Sequence, residues 1–94
     1  MYAIIRSYEI EGADQVLQEV EQRLVPVLQG ISGFLRYYVV RGEGKSIASI
    51  AVFENEAAAE ECNRQVGEWV REHAAGTSAG PSRVVAGEVV LQVP

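Results

Sequence analysis

The sequence predicts an α+β fold in which strands and helices follow one another as β-α-β-β-α-β. Three observations lead there. Four runs are rich in β-branched and aromatic residues, two stretches repeat apolar residues at helical spacing, and a Gly-containing turn joins the two central β-rich runs. This order corresponds to the ferredoxin-like split βαβ unit, a four-stranded antiparallel sheet with two helices on one face. At 94 residues the chain has the size of one domain, 1–94, and shows neither internal repeat nor linker.

The first strand is residues 1–10 (MYAIIRSYEI), apolar at the start and polar toward its end at Arg6, Ser7 and Glu9. Residues 11–14 (EGAD) break it, and Asp14 suits a helix N-cap or first turn. Val16, Leu17, Val20, Leu24, Val27 and Leu28 then recur at helical steps, with Glu19, Glu21, Gln22 and Arg23 on the opposite face. Pro26 removes a hydrogen bond from the last turns and is expected to kink or loosen them. Gly30 and Gly33 end that helix.

Residues 34–41 (FLRYYVVR) and 46–54 (SIASIAVFE) form a hairpin about Gly42-Glu43-Gly44. Asn55 is placed to cap the second helix, with Glu56, Glu60 and Glu61 near its positive end. Ala59, Cys62, Val66, Trp69, Val70 and His73 share one face of it. Residues 74–82 (AAGTSAGPS) read as a loop. Residues 83–93 (RVVAGEVVLQV) read as the last strand, with Gly87 a bulge or a point of close approach.

A sheet with one wet face alternates apolar and polar residues. Here Ile47, Ser49, Ala51 and Phe53 oppose Ala48, Ile50 and Val52, and neither set is cleanly polar. The second face therefore requires a cover that the chain itself does not supply. A homodimer with sheets packed face to face is the expectation.

Composition narrows the function classes. The chain is 48% hydrophobic and 22% charged, an ordinary balance for a folded domain. Its net charge is −5, and its basic residues are scattered rather than clustered, which argues against nucleic acid and anionic membranes as partners. One cysteine, Cys62, rules out an internal disulfide and a multi-cysteine metal site. One histidine at no ligand-pairing interval gives no metal site. No signal-peptide pattern and no apolar run of about 18 residues is present, so a cytoplasmic location is the default expectation.

Trp69 could stack on a flat ligand and His73 could serve as a base, its ordinary pKa being near ~6.5. Each has a plainer reading, Trp69 as a core aromatic and His73 as a cation at a helix C-terminus. Arg6, Tyr8, Arg36, Tyr37, Tyr38, Ser49 and Glu88 are polar or amphipathic residues on strands whose faces call for cover. They are candidate lining for a cleft between helices and sheet, or else edge and interface partners. Cys62 is expected to be a buried thiol, since His73 lies eleven residues further along the same helix, about 16 Å at ~1.5 Å per residue.

The element order, the Ile31-Ser32-Gly33-Phe34 opening of the second strand, Tyr37-Tyr38 and the Phe53-Glu54-Asn55-Glu56 junction together resemble the dimeric α+β barrel superfamily. Within it the chain is similar to the antibiotic-biosynthesis-monooxygenase-like group, over essentially all of 1–94. That group includes cofactor-free oxygenases acting on aromatic polyketides, quinol oxygenases and haem-degrading enzymes. Haem-degrading members pair an Asn on the first strand with a Trp and a His on the second helix. This chain has Trp69 and His73 but no Asn in its first strand, and the two lie one helical turn apart where the family interval is longer. Cofactor-free members carry an Asn-Trp-Tyr set, met here by Asn63 and Trp69 with no Tyr following.

The resemblance implies a small cofactor-independent monooxygenase acting on a hydrophobic aromatic or quinol-like molecule. Trp69, Asn63, Arg6, Tyr8 and Ser49 would bind it, and His73, Tyr38 and Arg36 would polarise it or move a proton. The alternative is a non-enzymatic dimeric module that binds a small hydrophobic ligand or a partner. Haem degradation stands third.

Overall fold

The computed structural model describes residues 1–9, 13–73 and 83–94. Extended backbone forms where β-branched and aromatic residues gather: β1 (Tyr2–Glu9), β2 (Phe34–Arg41), β3 (Ser46–Phe53) and β4 (Arg83–Glu88). They make one antiparallel sheet in the order β2-β3-β1-β4, with β1 and β3 central. The helical parts are α1 (Ala13–Glu19), a π-helical turn (Val20–Leu24), α2 (Val25–Gln29) and α3 (Glu56–His73). The four-stranded α+β architecture is the one expected. The break at 11–12 and the loop at 74–82 lie outside the described residues, as do the side chains of Val16 and Val20.

Local chemistry sets the boundaries. Pro26 offers no N–H to the carbonyl one turn back, and its ring crowds that carbonyl. The turn just before it is widened to π geometry, which is the loosening expected of the proline. At the hairpin, Gly42 N–H donates to the Ser46 carbonyl (2.9 Å), Ser46 N–H donates to the Glu43 carbonyl (3.1 Å), and Gly44 takes φ 63°. Asn55 Oδ1 accepts the Ala58 N–H at 2.9 Å and so caps α3.

The core lies between the sheet and the helices. Ile4, Ala51 and Phe53 meet Leu24, Leu28, Ile31, Ala58, Ala59 and Cys62, with Tyr2, Phe34, Tyr37 and Val66 packed around them. Phe53 is completely buried and stands edge-on to Phe34, ring centroids 6.0 Å apart. Asp14 in the first turn of α1 pairs with Arg41 at the end of β2, tying the first helical run to the sheet edge.

Register decides which residues face this core. Ile4 and Arg6 of β1 pair with Ala51 and Ser49 of β3, all on the helix side. The outer face carries Ala3, Ile5, Ile50, Val52, Tyr38, Val40 and Val85; Ile5, Tyr38, Val40 and Val85 are exposed. The sheet thus has two apolar faces, as its sequence suggests.

Two expectations for β4 are corrected. The strand ends at Glu88, not at residue 93: Val89 N–H donates to the Met1 carbonyl at 2.8 Å, and residues 90–94 lie past the end of β1 with no ladder to join. Val90, Leu91 and Val93 there are 94%, 81% and 76% exposed. Gly87 is neither bulge nor close approach, because it pairs in register with Ala3 and a Cβ there would meet nothing within 4 Å. The irregularity lies in β2, between Phe34 and Arg36, where Leu35 is the extra residue.

Gly33 holds the junction between the first helical run and β2. Its φ is 89°, its carbonyl accepts the Glu54 N–H at 2.8 Å, and an added Cβ would stand 2.9 Å from the Ala58 Cβ. Gly33→Ala is expected to destabilise the fold by about 1–3 kcal/mol, through backbone strain and this clash, as measured by urea denaturation.

Candidate active site

β1 and β3 lie beneath α3, so helix-side residues near the polar end of β1 face the middle of that helix. Arg6 sits in register between Ser49 of β3 and Val84 of β4. Its Nη2 donates to Oδ1 of Asn63 on α3, a contact between residues far apart in the chain. Asn63 neighbours Cys62, which is buried against the sheet as expected. Tyr8, paired with Ile47, and Tyr37, paired with Ala51, complete the group.

The electrostatics follow from burial around one cation. Burial pushes the Tyr8 phenol above its ordinary value of 10.0, and the Arg6 charge offsets part of that. Tyr37 is likewise raised by burial, with the Ser49 hydroxyl and Arg6 pulling down and Tyr8 and Cys62 pushing up. The Cys62 thiol is raised from 9.0 by burial, again against Arg6. At neutral pH the group therefore presents a guanidinium, two phenol O–H donors, a serine hydroxyl and a neutral thiol.

Nearby acids of α3 are engaged elsewhere. Glu61 accepts from Arg64 and from Gln65 (2.8 Å), which holds its carboxyl down to about 2. Glu68 accepts from Arg64 at 3.1 Å. Among the described residues no group of three or more His, Cys, Asp or Glu could hold a metal ion.

The chain matches the sequence model of the family described as antibiotic biosynthesis monooxygenase over residues 1–65, more than half its length. It belongs to that family. The match takes in the Arg6 strand, the bulged β2 and the Asn63 turn of α3. Solved structures agree on the fold. The cofactor-independent oxygenase SnoaB of Streptomyces nogalater, solved as a mutant, is 20% identical with a TM-score of 0.76, covering 99% of this chain and 96% of its own. The monooxygenase from the gene ActVA-Orf6 of Streptomyces coelicolor, solved with the ligand nanaomycin D, is 14% identical at 0.76, covering 99% and 91%. A protein of unknown function from Nitrosomonas europaea, NE2512, is 18% identical at 0.73, covering 99% and 93%. None of the curated proteins matches the chain.

Of the residues singled out from the sequence, this family member brings together Arg6, Tyr8, Tyr37, Ser49 and Asn63. It separates Arg36 and Tyr38 from them. Both lie on the outer face, where Arg36 Nη1 donates to the Tyr38 hydroxyl at 3.4 Å. The extra residue Leu35 reverses the alternation of β2, so Tyr37 joins Phe34 on the helix side and its neighbours turn outward. Phe34 and Tyr37, three apart, cannot share a face of a regular strand, which is the signal a sequence reading could have used. Glu88 sits opposite Tyr2 on the exposed edge strand, at the other end of the sheet face. Trp69 and His73 fall on α3, but their side chains lie outside the described residues.

The raised pKa values carry a pH dependence. A group whose folded pKa exceeds its unfolded value contributes stability below the unfolded value and loses it as pH rises through the folded one. The ordinary values are 9.0 for Cys62 and 10.0 for Tyr8 and Tyr37. Unfolding free energy is expected to hold steady through the neutral range and to fall once pH exceeds about 9. Tyr37→Phe should flatten the part of that decline above about 10, read from urea denaturation at a series of pH values.

Proposed function

We propose that the chain is a homodimer that takes a hydrophobic aromatic or quinol-like molecule between α3 and the sheet and oxygenates it without a cofactor. The observation that carries this is the convergence of Arg6, Tyr8, Tyr37 and Ser49 on the helix side of the sheet, where Arg6 reaches the exposed Asn63 at the rim of an apolar layer. A ligand site is mostly apolar with a few placed polar groups, and this layer has that composition. The printed descriptions of SnoaB as a cofactor-independent oxygenase and of ActVA-Orf6 as a monooxygenase favour the chemistry.

In such a reaction the substrate supplies the electrons. A ring CH2 activated by a neighbouring carbonyl or phenol loses a proton, and the carbanion is oxidised by O2. One oxygen atom enters as C=O and the other leaves as water, so that CH2 and O2 give C=O and H2O. The protein's share is to orient the ring, accept the proton and balance the developing charge. Trp69 is assigned here as the stacking wall and His73 as the proton acceptor. Arg36 and Tyr38, on the outer face, are assigned to the contact with the second copy.

Two surfaces support the dimer: the apolar outer face of the sheet and the exposed Val90, Leu91 and Val93 beyond β4. Large contiguous apolar surface marks an association site. A ligand-binding barrel without catalysis is the second reading. It is favoured by the way Arg6 and Asn63 already satisfy one another.

Oxygen uptake with a panel of anthrones and quinols is expected to show one O2 consumed per substrate, slowed at least about tenfold by His73→Ala. Binding without uptake selects the second reading. Absence of turnover together with unchanged binding in Trp69→Phe and His73→Ala sinks the enzymatic one. Sedimentation at micromolar concentration should give twice the chain mass, and Ile5→Asp should shift it toward the monomer. A stable native monomer refutes the dimer.

A further inference from the structure

We propose that Arg6 selects the charge state of the ligand, so that the site takes its aromatic molecule as an organic anion with an acidic oxygen against the guanidinium. The proposal deepens the reading of the α3–sheet layer as a ligand site and rests on it.

Three arginines of the chain pair with acids. Arg23 pairs with Glu19, Arg41 with Asp14, and Arg64 with Glu61 and Glu68. Arg6 is different. Its partner is the neutral amide of Asn63, in a chain whose net charge is −5. An amide oxygen satisfies an N–H but leaves the charge uncompensated. The surroundings deepen the contrast, because among the described residues Arg6 is the one charged member of a cluster otherwise made of Tyr8, Tyr37, Ser49, Cys62 and Asn63.

The geometry also suits an oxyanion. The guanidinium carries five N–H donors in a planar fork, and the amide oxygen engages Nη2, marking where an acceptor oxygen sits. Tyr8 and Tyr37, whose ordinary value is 10.0 and is raised by burial, are O–H donors at neutral pH, so the neighbourhood offers donors rather than competing anions. Cys62 and Val66 of α3 make the neighbouring part of the layer apolar. A cation within about 4–6 Å lowers the pKa of an acid by roughly 1–3 units, so a bound phenol would ionise more readily there. Carboxylates and phenolates share this chemistry.

Three probes separate the cases: 2-naphthoate, its methyl ester and 2-naphthol, titrated by calorimetry and absorbance at neutral pH. In the native protein the naphthoate is expected to bind at least tenfold tighter than the ester. Arg6→Gln should bring that ratio near one while the ester's affinity stays within threefold, and Arg6→Lys should retain the preference. Bound 2-naphthol should show its phenolate band at least one pH unit below the free compound in the native protein but not in Arg6→Gln. A carboxylate preference without the naphthol shift assigns the site to carboxylates, and the reverse assigns it to phenolates; both support the role of Arg6. Equal binding of acid and ester with no naphthol shift overturns the proposal and leaves the ligand site standing. So does a preference that persists in Arg6→Gln. Failure of all three probes to bind removes the ligand site and the proposal together. Should Arg6→Gln not fold, the acid-to-ester ratio of the native protein decides alone.

Discussion

The pairing of β1 with β3 is the constraint on which the rest of the molecule depends. Tyr2 lies opposite Phe53, Ile4 opposite Ala51 and Arg6 opposite Ser49. Because side chains alternate along a strand, this one register seats the core at one end of the face and the polar cluster at the other. A slip of a single residue would expose Ile4, turn Arg6 away from α3 and separate it from Asn63. Core and candidate site are therefore two consequences of one hydrogen-bond ladder.

The same alternation explains how the two faces differ in use. On the helix side, Phe53, Ile4, Leu28 and Cys62 are fully buried, which at about 1.5–3 kcal/mol for a large apolar side chain makes that face the main source of stability. The outer face carries comparable apolar material without cover from the chain's own helices. A short domain has limited capacity to bury surface, and in the proposed dimer the apolar outer face would extend that capacity.

Within the helix–sheet layer, electrostatics sort themselves by burial. Exposed acids on α3 are drawn to Arg64 at helical spacing, where such pairs are screened and contribute little. The half-buried Arg6 has a neutral amide instead. Tyr8, Tyr37 and Cys62 around it are neutral at neutral pH, and burial raises each further, so one charge dominates the local field.

Much of this was legible in the residues alone, because it depends on neighbours in the chain. The element order, the Asn55 cap, the Gly42–Gly44 turn, the loosening before Pro26 and two apolar sheet faces are local matters of propensity, hydrogen-bond donors and alternation. So are the burial of Cys62 and the presence of Arg6, Tyr8, Ser49 and Asn63 among the polar candidates. What the tertiary structure alone decided is which of those candidates meet. Arg6 and Asn63 are 57 residues apart and come together only when α3 crosses β1. Arg36 and Tyr38 turn outward because pairing with β3 displaces Leu35 as an extra residue. The last strand stops at Glu88 because a strand extends only as far as the neighbour that satisfies its backbone. Propensity chooses the conformation of a segment, but faces, registers and strand ends belong to the pair of segments that share the hydrogen bonds.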